Sequence, residues 1–369
     1  MVRKTRIGIV GCGNISTIYL KNAARFGHIE VLAVADLDSA RAEAQAGVFG
    51  NPKVLSPKEL MESDSVEVIL NLTIPAAHGT VAIEALQNGK CVYNEKPLAI
   101  DRDLAAEMLG LAEKNGLRVG CAPDTFLGSA HQNARKLIDE GAIGTPIGAV
   151  AFMLGGGPER WHPNPYFFFR PGGGPMFDMG PYYLTALTAL LGPVRRVTGS
   201  ARISLAKRLI TSEPHKGELI DVEIPSHIAG VLDFASGPVA TIITSFDVPG
   251  RHHLPNIEIY GTGGTMRIPD PNEFDGELLL NRPGEKEWTV VPSGFGYREN
   301  SRGLGLADMA QAMVSGRPHR ANGRTAFHVL EIMHAIHEAS ERGAHIELKT
   351  AMVRPEPFPE GLEFGQVPE

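Results

Sequence analysis

A glycine-rich turn set between a strand and a helix narrows the folds open to this chain more than any other feature. Gly8-Ile9-Val10-Gly11-Cys12-Gly13-Asn14-Ile15-Ser16 joins an apolar run at residues 6–10 to an amphipathic stretch at 15–26. In the pattern Gly11-x-Gly13-x-x-Ser16, Gly11 permits the tight turn. Gly13 lets the backbone approach a pyrophosphate, which sits on the helix N-terminus. The third position needs a small residue for helix–sheet packing, and Ser16 is small. About 20 residues on, Asp36 closes a second apolar run, 31–35. A carboxylate there accepts hydrogen bonds from a ribose 2′-hydroxyl and repels a 2′-phosphate. Asp38 adds to the repulsion, and Arg41 is the one nearby group that favours a phosphate. The expectation is a site for NAD in preference to NADP, with Gly11, Gly13, Asn14, Ile15 and Asp36 as its contacts. In the plainer alternative the glycines merely turn the chain and Asp36 caps the next helix.

The pattern continues. Apolar runs at 66–70, 91–93 and 117–121 alternate with amphipathic stretches at 39–46, 76–87 and 102–114. Strands spaced by helices mean βαβ units, a parallel sheet and right-handed crossovers. A further helix at 129–140 ends at Gly141. After Thr145 strand-like runs follow one another: 147–154, 195–204, 227–234, 239–246, 256–260, 265–268 and 277–280. Turn signals such as Ser236-Gly237-Pro238 separate them, so this half predicts a mostly antiparallel sheet. Helices are expected at 175–191, 304–314 and 324–342. The fold class is therefore α/β followed by α+β. The expected division is 1–123, 124–348 and a proline-rich extended tail, 349–369.

Composition removes other classes. A chain of 369 residues with 43% hydrophobic and 21% charged residues can bury a large core and is not disordered. A net charge of −7 argues against nucleic acid, which wants a basic face. Three cysteines without a CxxC, Cys12, Cys91 and Cys121, predict reduced thiols and a cytoplasmic protein. The apolar start is too short for a signal segment, and the charge-free stretch 179–194 is interrupted by Gly180, Pro181 and Gly192, so no membrane span is expected.

Cys91-Val92-Tyr93-Asn94-Glu95-Lys96-Pro97 puts a lysine at the carboxyl end of an expected parallel strand, where ligands bind in open α/β sheets. Pro97 biases Lys96 toward an extended backbone. A lysine beside an oxidised nicotinamide feels its positive charge, which lowers its pKa and readies it for proton transfer. The plainer alternative is a surface lysine paired with Glu95.

The glycine-rich turn, Thr73-Ile74-Pro75 with His78, Glu95-Lys96-Pro97, and Gly172-Gly173-Gly174-Pro175-Met176-Phe177-Asp178-Met179-Gly180 come in one order. Over nearly the whole chain they resemble the glucose–fructose oxidoreductase / inositol dehydrogenase / rhizopine catabolism (Gfo/Idh/MocA) family. The resemblance implies a doubly wound Rossmann domain, then a domain built on a large open-faced antiparallel sheet that also forms a homodimer or homotetramer. It implies hydride transfer between NAD(P) and a hydroxyl or carbonyl of a sugar, cyclitol or related polyol. It places Thr73 and Pro75 on the nicotinamide side, adds His78, Glu95 and Lys96 to the cofactor contacts and makes Lys96 the catalytic lysine. The family's Asp-x-Gly-x-His becomes Asp178-x-Gly180-x-Tyr182, so Tyr182 stands where a histidine is frequent, as in some sugar-oxidising members. Thr185 stands where an Asp is often found. Lys96 and Tyr182 would then handle the hydroxyl proton and Asp178 would orient it. Asp178 and Tyr182, at i and i+4, are expected on one face of one helix, with Asp178 near its start.

Residues 152–183 hold nine of the chain's 24 aromatic residues, where even spreading gives about two. Flat rings beside hydrogen-bonding groups suit a sugar. Trp161, His162, Arg170 and, more weakly, Asp124 are the candidate substrate contacts, with Tyr297, Asn300 and Arg302 in a loop that could reach them. A satellite core or a subunit contact is the competing reading of the aromatics. No metal site is expected: His334 and His337 read as a solvated helix face. Two rival functions remain, an NAD-dependent glycoside hydrolase or lyase working by transient oxidation and a catalytically idle NAD-binding regulator.

Overall fold

The computed structural model describes residues 3–369 and divides into two compact units. The first comprises the chain up to Ser129, Gly294–Phe327 and Pro355–Glu369; the second comprises Ala130–Ser293 and His328–Arg354. The divide is thus crossed four times, with two crossings inside helices.

The first unit is built on β1 (Thr5–Val10), α1 (Ser16–Ala23), β2 (Ile29–Ala35), α2 (Ser39–Val48), β3 (Lys53–Val54), α3 (Pro57–Glu62), β4 (Val68–Asn71), α4 (Pro75–Gln87), β5 (Cys91–Asn94), α5 (Arg102–Asn115) and β6 (Val119–Cys121). Its six strands are all parallel, in the order β3-β2-β1-β4-β5-β6. β4 and β5 are buried at every residue, as a sheet covered on both faces requires. Local chemistry starts and stops the helices. Asp38 caps α2, Ser56 and Glu59 form a reciprocal capping box at α3, and Asp101 caps α5. Gly116 ends α5 in the left-handed region. The edge strand β3, two residues long, is too short to show a period and escaped the sequence reading.

Two returning segments complete this unit. The C-terminal one, Pro355–Glu369, is strapped down by aromatic and cationic contacts. Phe364 packs 5.4 Å from Phe26 and 5.3 Å from Tyr297 between ring centroids, and the Arg25 guanidinium lies 3.3 Å over Phe364. Arg320 donates to the Glu356 carbonyl (3.0 Å).

The second unit holds α6 (Ser129–Asp139) from Ala130 on, β7 (Pro146–Leu154), α7 (Gly174–Asp178), α8 (Gly180–Leu191), β8 (Val194–Arg202), β9 (Lys207–Leu209), β10 (Leu219–Asp221), β11 (His227–Phe234), β12 (Val239–Ser245), β13 (Ile257–Gly261), β14 (Gly264–Ile268), β15 (Leu278–Asn281) and β16 (Thr289–Val291). α9 (Leu304–Ser315) belongs to the first unit. α10 (Gly323–Arg342) passes into the second at His328, and β17 (Ile346–Glu347) follows. Nine strands form one sheet, β16-β15-β14-β13-β7-β12-β11-β8-β17. Every pairing is antiparallel except β12 with β7, which run parallel. β11 and β14 alternate buried and half-exposed residues, so one face is core and the other open.

The helix expected at 175–191 is two helices. α7 stops at Asp178 and α8 begins at Gly180. Pro181 has no N–H to give the Phe177 carbonyl, so the ladder breaks and restarts with proline in the first turn. All twelve residues of α8 are buried, so the separate buried face assigned to Leu184, Leu187 and Leu191 does not exist.

Candidate active site

In the first unit the phosphate turn has the geometry its residues predict. Gly11 has φ +96°, and a Cβ on it would lie 2.6 Å from the Leu72 carbonyl, so no other residue fits. A Cβ on Gly13 would meet nothing within 4 Å. Its freedom from side-chain bulk therefore serves something outside the chain, as a pyrophosphate approach would require. Ser16 donates its hydroxyl to the Gly13 carbonyl (2.6 Å), tying turn to helix. α1 has no side-chain cap, and Asn14 and Ile15 are exposed at its entry, leaving the first-turn amides to an anionic ligand.

Asp36 is half-exposed at the end of β2. Its carboxylate accepts the Cys12 N–H (2.7 Å) and the Asp38 N–H (2.9 Å), which fix it over the turn. It does not cap α2; Asp38 does, and Asp38 also holds Arg41 at 3.3 Å. The one cation that would favour a 2′-phosphate is thus engaged. The residues present fit a dinucleotide.

At the carboxyl ends of β4 and β5, Asn71 and Asn94 sit opposite each other, fully buried, with Asn71 donating to Asn94 (3.0 Å). Asn71 accepts the Thr73 hydroxyl (2.6 Å), and Asn94 donates to the Leu98 carbonyl (2.9 Å). His78 is 1% exposed, with its ring nitrogens against the Pro97 carbonyl (2.7 Å) and the Thr73 carbonyl (3.0 Å). Burial lowers its pKa, and the two carbonyls and Glu95 work against that shift. His78 is therefore a pin between two loops. Pro75 opens α4.

Lys96 is half-buried just past β5, and its peptide bond to Pro97 is cis. Glu95 is 8% exposed and spends its carboxylate on the Tyr19 hydroxyl (2.7 Å) and the Lys96 backbone N–H (2.8 Å). Its bonds clamp the backbone that carries the lysine. Asp124 lies fully inside this unit, 1% exposed, and accepts the N–H groups of Gly303 and Gly305 (2.9 Å each) at the start of α9. Burial pushes its pKa up to about 6. It anchors a helix, and the substrate contact expected of it is corrected. Tyr297 is likewise buried, its hydroxyl given to the Gln366 carbonyl.

In the second unit, Asp178 ends α7 rather than starting a helix, and Met179 separates it from α8. Tyr182 lies in the first turn of α8 and is 7% exposed. The shared helix face and the favourable dipole at Asp178 are both corrected by the break. Asp178 instead has His162 in its field; burial lowers the His162 pKa and Asp178 works against that shift. His162 accepts the Asn164 N–H (3.0 Å), and its ring is T-shaped to Trp161 at 5.4 Å.

The aromatic stretch divides. Phe168 and Phe169 join Ile210, Ile220, Val222 and Phe246 in a satellite core, while Trp161 (68% exposed) and Phe167 (44%) remain open. Arg170 faces Glu223 at 3.8 Å on the surface. His334 and His337 pack on Phe177. Among the described residues no group of three His, Cys, Asp or Glu could hold a metal. No helix there is long and apolar enough to cross a membrane.

Two family models match the chain: "Oxidoreductase family, NAD-binding Rossmann fold" over residues 5–122 and "GFO/IDH/MocA C-terminal domain" over 131–267. The chain belongs to the Gfo/Idh/MocA oxidoreductase family. The dTDP-3,4-didehydro-2,6-dideoxy-alpha-D-glucose 3-reductase of Streptomyces violaceoruber is 33% identical over 82% of this chain and 88% of its own. The D-xylose 1-dehydrogenase (NADP(+)) 2 of Haloferax volcanii is 24% identical over 92% and 99%. Levoglucosan dehydrogenase in its apo form shares the fold, with a TM-score of 0.84 at 19% identity, covering 95% of this chain and 100% of the other. The protein is thus an enzyme of the dehydrogenase and reductase type.

Within this Gfo/Idh/MocA oxidoreductase, four residues escaped the sequence reading. Asn71 and Asn94 each follow directly on an expected strand, 66–70 and 91–93; only strand register pairs them. Leu37 (98% exposed) and Ile74 (69% exposed) are apolar side chains left open beyond the ends of β2 and β4. Their signal was an apolar residue directly after Asp36 and inside Thr73-Ile74-Pro75.

Proposed function

We propose that this enzyme moves a hydride between NAD and a hydroxyl or carbonyl carbon of a sugar, cyclitol or related polyol. The observation that carries the reading is the clamped Glu95-Lys96-Pro97 segment. Glu95 holds the Lys96 backbone, and His78 ties Pro97 to the loop of Thr73. An amine so held at the carboxyl end of a parallel strand suits proton transfer at a substrate oxygen. Bound nicotinamide would supply the hydride acceptor. Gly11, Gly13, Asn14 and Ile15 would hold its pyrophosphate, Asp36 its ribose, and Leu37 and Ile74 would flank the adenine. Thr73 and Pro75 would line the nicotinamide side.

On the substrate side, Lys96 takes or returns the hydroxyl proton, Tyr182 relays it as a neutral hydrogen-bonding group, and Asp178 orients the hydroxyl. A free tyrosine titrates near pH 10, and a carboxylate close to it would oppose a phenolate. Trp161 and His162 offer a flat ring and a polar rim to a sugar face, and Arg170 a charged edge. The relatives' names support the class: a xylose dehydrogenase and a dTDP-sugar reductase act on carbohydrate carbons. The Haloferax relative carries NADP in its name, and the Asp36 carboxylate over the turn is what favours NAD here. The half-exposed face of the nine-stranded sheet is the surface through which a homodimer or homotetramer would form.

The deciding experiment incubates the protein with NAD and a panel of sugars and cyclitols and follows reduced cofactor by absorbance. Substrate-dependent reduction in stoichiometric yield supports the reading. Bond cleavage with no net reduced cofactor would instead identify a hydrolase or lyase. Tight NAD binding with no turnover of any kind would identify a regulator.

A further inference from the structure

The second unit carries an open cavity of about 530 Å³ that no residue role above uses. It lies just past the ends of β7 and β12, the one parallel pair in its sheet. The pair continues beyond its last ladder residues, with Gly155 donating to the Ser245 carbonyl and Val248 to the Gly155 carbonyl (2.9 Å each). Two neighbouring strands therefore end together and their loops diverge, which leaves a hollow between Leu154–Gly155–Gly156 and Val248–His253.

The lining holds hydrogen-bond donors and no acid. Arg251, His252 and His253 are all in it, exposed, and no acid is. The Arg160 guanidinium lies beside Gly156 at its rim: a Cβ on Gly156 would be 2.7 Å from the guanidinium carbon. The two nearest carboxylates, Glu159 and Asp247, are turned inward. Both are bound by the buried Arg208, and Asp247 also takes the Ser226 hydroxyl. One guanidinium and two imidazoles thus line a space that the two sequestered carboxylates do not. Gly155 and Gly250 keep the floor open, since a Cβ on either would meet nothing within 4 Å. Planar guanidinium and imidazole donors around an open, acid-free hollow are what oxyanion recognition needs.

We propose that this cavity is an oxyanion subsite, taking the carboxylate or phosphate of an acidic small molecule. The volume exceeds what a lone oxyanion fills and leaves room for part of the molecule that bears it.

The test is calorimetric titration of the full-length protein at low ionic strength with inorganic phosphate, D-glucuronate, D-glucose 6-phosphate and D-glucose. One-site binding of phosphate or glucuronate is expected, weakened at least about tenfold by Arg251→Ala, the scale of one charge-assisted hydrogen bond. Arg251→Lys should retain part of the affinity, and His252→Gln with His253→Gln should weaken it further. Raising the salt concentration should weaken it as well. Stronger phosphate than glucuronate binding assigns the phosphate arm, and the reverse assigns the carboxylate arm. The proposal is overturned if neither oxyanion binds, or if both bind unchanged in the Arg251 and histidine variants. Oxyanion binding that depends on Arg251, with no turnover of any sugar, acid or polyol, would leave the subsite standing and remove the oxidoreductase reading. Turnover of neutral sugars with no oxyanion binding would do the opposite.

Discussion

Single side chains in the first unit divide the labour between holding and reacting, and three substitutions separate the two. Lys96→Ala should leave NAD binding nearly intact, because the bonds that shape the segment belong to Glu95 and to backbone atoms. Turnover should fall by about 10²–10⁴, the usual contribution of a positioned acid or base; cofactor titration beside steady-state rates checks both halves. Asp36→Ser should narrow the preference for NAD over NADP by about 1–3 kcal/mol, read as the ratio of the two dissociation constants. Asp124 tests electrostatics without catalysis. Burial raises its pKa to about 6, from an unfolded value near 4. Between those values the folded state binds the proton and the unfolded state does not. The group's unfavourable contribution is therefore full above about pH 6 and relieved as pH falls toward 4. Asp124→Asn keeps an acceptor for Gly303 and Gly305 but cannot ionise. Its stability relative to the parent should be better at pH 8 than at pH 4.5 by about 2 kcal/mol, measured by urea unfolding at the two pH values. A difference that does not change with pH would refute the shifted ionisation.

At the level of elements, the turn from β1 to α1 separates two reasons for having glycine. Gly11 is dictated by the fold: positive φ and a Leu72 carbonyl 2.6 Å from where a Cβ would sit. Gly11→Ala should destabilise the protein by about 2–4 kcal/mol through strain and collision. Gly13 has open space around it, so Gly13→Ala should leave thermal unfolding unchanged and weaken NAD binding instead. Thermal scans with and without NAD distinguish the two variants; equal behaviour would contradict the division. The α7–α8 break has the same local origin. Gly180 and Pro181 are plain in the sequence, yet apolar periodicity ran through them and suggested one helix. The missing N–H of Pro181 decides where the ladder stops, and with it that Asp178 and Tyr182 stand on different helices.

The whole molecule shows how far local pattern reaches. Strands alternating with helices announced the parallel sheet up to residue 123, and runs of strands announced the antiparallel one. These arise from period-2 and period-3.6 burial, which a chain carries residue by residue. The Gly11-x-Gly13 turn with Asp36, and the Glu95-Lys96-Pro97 segment, were legible for the same reason: each is a contiguous stretch whose chemistry depends on its neighbours in the chain. Three features depended on residues far apart. The tail joins the first unit because Phe364 finds Phe26 and Tyr297, some 340 and 70 residues earlier. Deleting 355–369 should lower stability by about 2–4 kcal/mol, the burial of Phe358 and the partial burial of Phe364; a truncated protein that melts like the parent would contradict the strap. Asp124 looked like a loop acid near a ligand and proved to be the anchor of α9, since nothing before residue 124 foretells amides from 303 and 305 arriving there. The parallel pairing of β7 with β12, which opens the cationic hollow, is likewise set by sheet order, with 84 residues between the two strands. What this sequence determined alone was the identity of each element and of the contiguous motifs, because steric and burial preferences act along the chain. Which distant groups meet, and so which carboxylate anchors and which is left to bind, was decided only in the tertiary structure, because hydrogen-bond satisfaction and charge pairing are settled between segments that no period in the sequence connects.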